Sequence, residues 1–280
     1  MRLIAAGRCI LPPRSPSRSP CKLAPRVSSP VVHFLELNMA RIETLAEGVT
    51  LYLGDCMDIL PGLPKHDALV ADPPYKIGTG GMGVHSIMSD SKRRQAVAIR
   101  GNLDMGFDVS VLGGYVNWFV FCSKAQIVEL IQQAEKQGLK WQILTWNKTN
   151  PSQFSNLSYL PDTEYMIHGY RAHKFKQKSR FLVGSNEASG VGHPTVKPQY
   201  VMRFALMSAS FPGDAILDPY MGSGSTGVAA VKMGRKFTGI EISEKYFDIA
   251  CKRIEQALAQ PDMFINAPVS VPKQGFFEDL

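Results

Sequence analysis

Four consecutive residues, Asp72-Pro73-Pro74-Tyr75, have the composition of a rigid acceptor site. The two prolines fix two φ angles and remove two N–H donors. What remains around Asp72 is its carboxylate and nearby main-chain carbonyls, all of them acceptors. An amino group conjugated to an aromatic ring needs such surroundings. Its lone pair is delocalised and a poor nucleophile. Accepting both N–H hydrogens helps pull the nitrogen toward a tetrahedral geometry and frees the pair to attack an electrophile. Tyr75 adds a ring on which a base can stack, an interaction worth ~1–3 kcal/mol per base. A base in a duplex must leave its helix to reach such a pocket. The plain alternative is a type I or II turn, which Asp-Pro often starts.

A second chemistry-bearing stretch runs from Ala215 to Gly227 and reads as a strand, a glycine loop and a helix start. Gly222-Ser223-Gly224-Ser225-Thr226-Gly227 satisfies G-x-G-x-x-G, whose glycines let the backbone turn sharply and approach a ligand closely. Glu241 lies 19 residues after Gly222, at the end of the next predicted strand. A carboxylate placed there can accept both hydroxyls of a ribose. The loop alone also fits a dinucleotide, or an ordinary strand–helix turn. Asp218-Pro219 shifts the balance, because negative charge before the first glycine disfavours a pyrophosphate and suits an ammonium. S-adenosylmethionine carries an ammonium, a sulfonium and a ribose diol, and is favoured over NAD.

The elements that must position these residues alternate along the chain. Strand signals fall at Thr50–Leu53, Ala68–Ala71, Val116–Cys122, Gln142–Trp146, Glu164–His168, Ala215–Leu217 and Lys236–Ile240. Helical periodicity appears at Lys124–Gln137, Gln199–Ser208, Ser225–Met233 and Glu244–Leu258, the last opened by Ser243 as N-cap. Helices interleaved with apolar strands imply an α/β fold with a mostly parallel sheet covered by helices on both faces. Asp72 then sits at the carboxyl end of a strand, where open α/β sheets place their ligands. Residues 76–114 and 147–195 break the rhythm and are long for connections in a compact domain, so each is expected to be functional or mobile.

These motifs resemble, in kind and in order, the amino-directed DNA methyltransferases of the β arrangement, in which the catalytic D-P-P-Y segment precedes the cofactor loop. The match covers nearly all of residues 50–255. Leu53-Gly54-Asp55-Cys56 through Pro64 looks like the family's segment before the catalytic strand, and His193-Pro194-Thr195-Val196-Lys197-Pro198 resembles its H-P-T-x-K-P. Leu217 to Gly227 matches L-D-P-F-x-G-S-G-T-T-G, with Tyr220 for Phe and Ser225 for Thr. The resemblance implies a Rossmann-like S-adenosylmethionine-dependent methyltransferase fold with circularly permuted motif order. It implies Asp72, Pro73, Pro74 and Tyr75 as the catalytic residues. It also implies a cofactor site of Asp55, Thr195, Lys197, Asp218, Pro219, Gly222, Ser223, Gly224 and Glu241. Asp55 would help hold the adenine, and Thr195 and Lys197 would meet the methionine carboxylate by hydrogen bond and charge. The family's cytosine members usually carry Ser before Pro-Pro, so Asp72 favours adenine N6 over cytosine N4 as target. Transfer to cytosine C5 requires a Pro-Cys nucleophile. Pro20-Cys21 is the one Pro-Cys here and lies in the tail.

Charge bears on the partner. The chain of 280 residues has a net charge of +7. Residues 1–38 hold six basic residues against Glu36 and supply +5 of it, leaving +2 for the remainder. Local clusters must therefore carry any case for double-stranded DNA. Tyr170 to Arg180 interleaves bases with aromatics, and Arg171, Lys174, Lys176, Lys178 and Arg180 are the expected phosphate contacts, joined by Lys92, Arg93 and Arg94. A solvated loop is the competing reading of both. RNA is an alternative substrate. An NAD-binding oxidoreductase and a non-catalytic DNA-binding module are the alternatives of another class.

The Pro-, Ser- and Arg-rich start, 1–38, reads as a disordered basic extension, with translation expected to begin at Met39. Residues 39–280 then form one methyltransferase domain, with a substrate-loop insertion at 76–114 and a small target-recognition segment within 147–192. Five widely spaced cysteines without Cys-x-x-Cys indicate neither a disulfide framework nor zinc, and a cytoplasmic setting is expected. No apolar run approaches a membrane span. A short recognition region makes a homodimer an expectation of the resemblance.

Overall fold

A computed structural model describes residues 41–76, 106–151, 159–172, 178–186 and 196–260. The elements run β1 (Arg41–Ala46), β2 (Val49–Leu53), α1 (Cys56–Ile59), β3 (Ala68–Ala71), β4 (Asn117–Cys122), α2 (Ile127–Lys136) and β5 (Lys140–Lys148). They continue as β6 (Thr163–Tyr170), β7 (Phe181–Gly184), α3 (Gln199–Ala209), β8 (Ala215–Asp218), α4 (Ser225–Lys232), β9 (Lys236–Glu241) and α5 (Glu244–Ala259). Nine strands form one sheet in the order β1-β2-β9-β8-β3-β4-β6-β5-β7. Neighbours from β2 to β4 are parallel, whereas β1 and β6 run against their neighbours.

The alternation of apolar side chains explains why the centre of the sheet is covered twice. Along β3 and β4, Ala68, Val70, Phe119 and Phe121 face the layer formed by α3, α4 and α5. Leu69, Ala71, Trp118, Val120 and Cys122 face the opposite layer, which holds α1 and α2. All nine are buried. Each large aromatic among them contributes roughly 1.5–3 kcal/mol through burial. A strand buried on both faces loses the alternating pattern and reads as a short apolar run, which is why Ala68–Ala71 was legible from sequence.

Three features depart from the sequence reading. The edge strands β1 and β7 were not anticipated, because each is short and half-exposed and gives no apolar run. The described residues of the stretch 147–195 hold the end of β5, an antiparallel β6 that extends one residue before and two beyond Glu164–His168, and β7. Ser243 does occupy the N-cap of α5, but its side chain makes no capping bond there. Its N–H instead donates to Glu241 Oε1 at 2.8 Å. The expected extension at 1–38 lies outside the described residues, as does most of the expected insertion, 77–105.

Candidate active site

Asp72 follows β3 directly, and β3 lies between β8 and β4, with Leu69 paired to Leu217 and to Trp118. The sheet order therefore puts the Asp72 segment and the Asp218 segment side by side. The prolines leave Asp72–Tyr75 without a ladder of its own, and the loop after β4 pins it. Gln126 Nε2 donates to the Pro74 carbonyl at 3.3 Å, and Ser123 Oγ to the Lys76 carbonyl at 2.9 Å.

The Asp72 carboxylate is already in use. Lys197 Nζ lies 2.8 and 2.7 Å from Oδ1 and Oδ2, and the Tyr75 hydroxyl donates to Oδ1 at 2.9 Å. Each carboxylate oxygen offers two lone-pair sites. Oδ1 is thus filled, and Oδ2 keeps one open. Lys197, expected at the methionine end of the cofactor, pairs with the Asp72 carboxylate and lines the same cleft as Asp218 and Glu241. The Tyr75 hydroxyl is tied into the same cluster, so its ring stands as a fixed wall and not as a free platform. Burial alone would push the Lys197 ammonium down, but Asp72 and Glu164 reverse that and hold it above the usual lysine range. Burial, then the charges of Asp72 and Glu164, push the Tyr75 phenol well up, so it stays protonated.

Beside this cluster lie carboxylates of another kind. Asp218, the last residue of β8, is 1% exposed and accepts the Tyr220 N–H at 3.0 Å. Burial drives its pKa up to about 7, the Thr226 hydroxyl and Tyr220 N–H oppose the shift, and the charges of Asp72 and Glu241 add to it. Glu241 accepts the Gly222 N–H at 2.9 Å as well as the Ser243 N–H, so it clamps the glycine loop to the end of β9. Burial raises its carboxyl too. Gly54 N–H donates to the Glu241 carbonyl at 2.9 Å, which brings Asp55 alongside. Asp55 caps α1 by accepting the Met57 N–H at 2.8 Å.

The glycines act differently from expectation. Gly224 has φ +81°, and a Cβ there would lie 3.0 Å from Ala250 Cβ of α5. A Cβ on Gly227 would lie 2.5 Å from Ile254 Cδ1 and 2.7 Å from Phe237 Cε1. Both glycines let helices α4 and α5 approach, and neither is bare toward the ligand side. Ser223 is buried, and its carbonyl and hydroxyl both accept from Arg253 of α5. Arg253 is a support that sequence reasoning missed.

Asp55, Asp72–Tyr75, Lys197, Asp218, Pro219, Gly222, Ser223 and Glu241 all line one cleft of about 600 Å³. Six of its lining side chains are acids (Asp55, Asp72, Asp108, Glu164, Asp218, Glu241) and one, Lys197, is a base. Such a cavity repels a pyrophosphate and fits a cationic ligand, and the buried Asp218 carboxylate is the group a cation would most relieve. Asp218 and Glu241 can therefore hold the ammonium and ribose of S-adenosylmethionine. Among the described residues no His, Cys, Asp or Glu cluster is placed to hold a metal ion, and no helix is long and apolar enough to cross a membrane.

Other expected residues are scattered. Arg171 follows β6 at the end of the sheet opposite the cleft, since β6 runs antiparallel away from Glu164. Lys178 and Arg180 precede β7 and are exposed, with Arg180 Nη1 3.4 Å from Gln142 Oε1. Of the described members of the basic run, Arg171 thus lies apart from Lys178 and Arg180, after a different strand. Thr195, Lys174, Lys176, Lys92, Arg93 and Arg94 lie outside the described residues. Cleft residues that the sequence did not reveal include Phe107, Asp108, Glu164 and Tyr246. Glu164 carried only a faint signal, a lone acid at the start of an apolar strand. Trp146 is core, and its Nε1 donates to the Tyr200 hydroxyl at 3.0 Å.

Comparison with known proteins agrees with this geometry. Residues 66–252 match the family described as DNA methylase, N6_N4_Mtase. The chain is 28% identical over 227 residues to the Type II methyltransferase M2.LlaDCHI of Lactococcus lactis subsp. cremoris, covering 68% of this chain and 82% of that protein. It is 25% identical over 265 residues to the Type II methyltransferase M.HinfI of Haemophilus influenzae, covering 76% and 70%. The crystal structure of the M1.HpyAVI–SAM complex is similar with a TM-score of 0.53 and 26% identity, over 73% of this chain and 98% of that one. PvuII DNA methyltransferase, described as cytosine-N4-specific, shares the fold at 14% identity and a TM-score of 0.53, over 75% and 89%. The chain belongs to the DNA methylase family, the amino-directed DNA methyltransferases that use S-adenosylmethionine.

Proposed function

We propose that this chain methylates the N6 nitrogen of a flipped-out adenine within a specific duplex DNA sequence, with Asp72 as the acceptor that activates the amino group. One observation carries the reading. The acceptor site left open on Asp72 Oδ2 shares a cleft with the carboxylates that await a cation. S-adenosylmethionine, when bound, supplies a methyl group activated by a sulfonium and leaves as a neutral thioether. Asp72 accepts a hydrogen bond from the amino group and draws the nitrogen toward a tetrahedral geometry; as the N–C bond forms and the S–C bond breaks, the surplus proton of the methylated nitrogen passes through the Asp72 carboxylate to solvent. Pro73 and Pro74 keep competing N–H donors away. Tyr75, fixed by its hydroxyl, forms the wall against which the base rests. The buried thiols support direct transfer without a covalent base adduct: burial pushes Cys122 up to about 12 and Cys251 up to about 11, so neither is a ready nucleophile.

Adenine is preferred because Asp72, not Ser, precedes Pro73-Pro74, in keeping with the resemblance stated above. The fold is shared with a cytosine-N4-specific enzyme, so it does not choose between the two. The relatives named as Type II methyltransferases support a role beside a restriction enzyme of the same specificity. Expression in a host free of DNA methylation, followed by mapping of modified bases, tests the reading. N6-methyladenine at one short sequence is expected. N4-methylcytosine would overturn the choice of base, and unmodified DNA would overturn the proposal.

A further inference from the structure

Lys197 has more acceptors around it than protons to give. Its Nζ meets both oxygens of Asp72 at 2.8 and 2.7 Å, the Tyr75 hydroxyl at 3.0 Å and Glu164 Oε2 at 3.3 Å. An ammonium has three donors, so the two carboxylates and the phenol must share them. Glu164 is held from its other side by Lys148, whose Nζ lies 2.6 Å from Oε1. The single Tyr75 proton is within reach of Asp72 Oδ1 at 2.9 Å and Glu164 Oε2 at 3.3 Å. Four charges thus alternate in a chain from Lys148 through Glu164 and Lys197 to Asp72, and they sum to zero.

The chain is well sheltered: the side chains of Lys148, Glu164 and Lys197 are 16%, 18% and 9% exposed. Screening by salt is weak there, and a change of charge at one member is felt by the next. Packing holds the members in place. Lys148 ends β5 and stands over the Trp146 ring at 5.1 Å, and Lys197 precedes Pro198, the N-cap of α3. Tyr200 at the start of α3 is tied to Trp146 at 3.0 Å. Burial would raise the Glu164 carboxyl, but Lys197 and Lys148 together hold it below the usual glutamate range, so it stays ionised.

The reading of Asp72 as acceptor makes two demands that conflict. Asp72 must be charged, which a half-buried carboxylate secures beside an ammonium. It must also have acceptor strength to spare, which an ammonium bound to it alone would consume. We infer that Glu164, oriented by Lys148, is the positioning residue that resolves this conflict. It shares Lys197 with Asp72, and it takes a larger share of that ammonium when the target's amino group occupies the open site on Asp72 Oδ2. Glu164 acts through Lys197 and, at 3.3 Å, through the Tyr75 hydroxyl, and is given no part in the transfer itself. The inference rests on the proposed role of Asp72.

The test uses the full chain, duplex DNA from a methylation-free host, saturating S-adenosylmethionine and the variants E164Q, K148M, K148R, E164Q/K148M and D72A. E164Q is expected to fold, to bind S-adenosylmethionine within about twofold of the wild type, and to lose about tenfold or more in kcat. K148M loses about three- to tenfold, K148R recovers most of that, and the double variant is no slower than E164Q, because residues acting through one link are non-additive. A merely structural role would instead lower cofactor affinity and thermal stability in step with kcat, and that result overturns the inference. So do a wild-type kcat in E164Q and losses that multiply in the double variant. If E164Q fails to fold, K148M decides, and a wild-type rate there overturns the inference. A D72A protein that still transfers methyl groups removes the underlying reading. An inactive D72A beside a fully active E164Q removes only the role of Glu164.

Discussion

On one side of the cleft each charge has its partner; on the other, the carboxylates meet no cation among the described residues. Asp72, Lys197, Glu164 and Lys148 form a neutral, hydrogen-bonded chain. Asp55, Asp218 and Glu241 are stabilised by main-chain N–H groups instead. Both sides are built by strand ends of one sheet, so their architecture does not explain the difference. The ligands do. A nucleobase is neutral, and the side that receives it needs oriented dipoles with no net charge left over. S-adenosylmethionine is cationic, and the side that receives it keeps buried negative charge at a cost to the free protein, because its charged form is stable only with the ligand in place. A sequence change that converts one side into the other should damage the two ligands unequally.

The largest effect is expected at Asp72. D72A removes the acceptor and leaves the Lys197 ammonium facing only Glu164 and the Tyr75 hydroxyl. Transfer of labelled methyl groups to duplex DNA should fall by about 10²–10³-fold or more. Affinity for S-adenosylmethionine, measured by calorimetry, should move by less than about threefold, because the cofactor side keeps its own carboxylates. Loss of both together would show that the two sides are one unit.

Asp218 breaks the comparison from the other direction. Burial raises its pKa to about 7 in the folded chain, against about 3.9 in an unfolded one. Between these values the unfolded state is ionised and the folded state is not, so stability falls as pH rises through that window. The whole cost is on the order of 4 kcal/mol. D218N abolishes this term, and the variant should gain in Tm relative to the wild type as pH goes from 5 to 8. Binding follows the opposite trend. A cation prefers the ionised Asp218, so wild-type affinity for S-adenosylmethionine should improve several-fold from pH 6 to 7.5. D218N should show a flat profile over that range and bind about 10–100-fold more weakly at its upper end. A parallel pH dependence in the two proteins would remove Asp218 from the cofactor site.

How much of this could be read from the chain depends on whether a residue's partners are close along it. Asp72 directly follows the apolar β3, Asp218 and Glu241 are the last residues of β8 and β9, and the position alone puts them at a carboxyl edge. The side-by-side placement of Asp72 and Asp218 follows once β3 and β8 pair. Lys197 shows the opposite case. Its motif fixed its neighbours in sequence, but not that the entry into α3 would carry its ammonium to both oxygens of Asp72. Glu164 and Lys148 are single charges on strands, indistinguishable by pattern from solvated ones. Antiparallel pairing of β5 and β6 brings them together, and a sequence has no period that announces it. The glycines were legible as a loop, yet two of them serve helix packing, which depends on Ala250, Ile254 and Phe237 far along the chain.

Two smaller changes sharpen the cofactor side. E241Q keeps the size of the side chain but removes the charge and disturbs one of the two N–H bonds that clamp the glycine loop. Calorimetry should show a loss of about 5–10-fold in affinity for S-adenosylmethionine, less than D218N causes, with kcat at saturation little altered. G224A should reverse that profile. Its φ of +81° lies in the left-handed region, and the added Cβ would sit 3.0 Å from Ala250 Cβ. Strain of roughly 1–2 kcal/mol is expected, with a fall in Tm of about 2–8 °C. The added methyl points at α5 and not at the ligand, so cofactor affinity at low temperature should shift by no more than about threefold. An unchanged Tm with lost affinity would place Gly224 against the ligand after all, and the loop would then contribute backbone contact where the carboxylates now account for recognition.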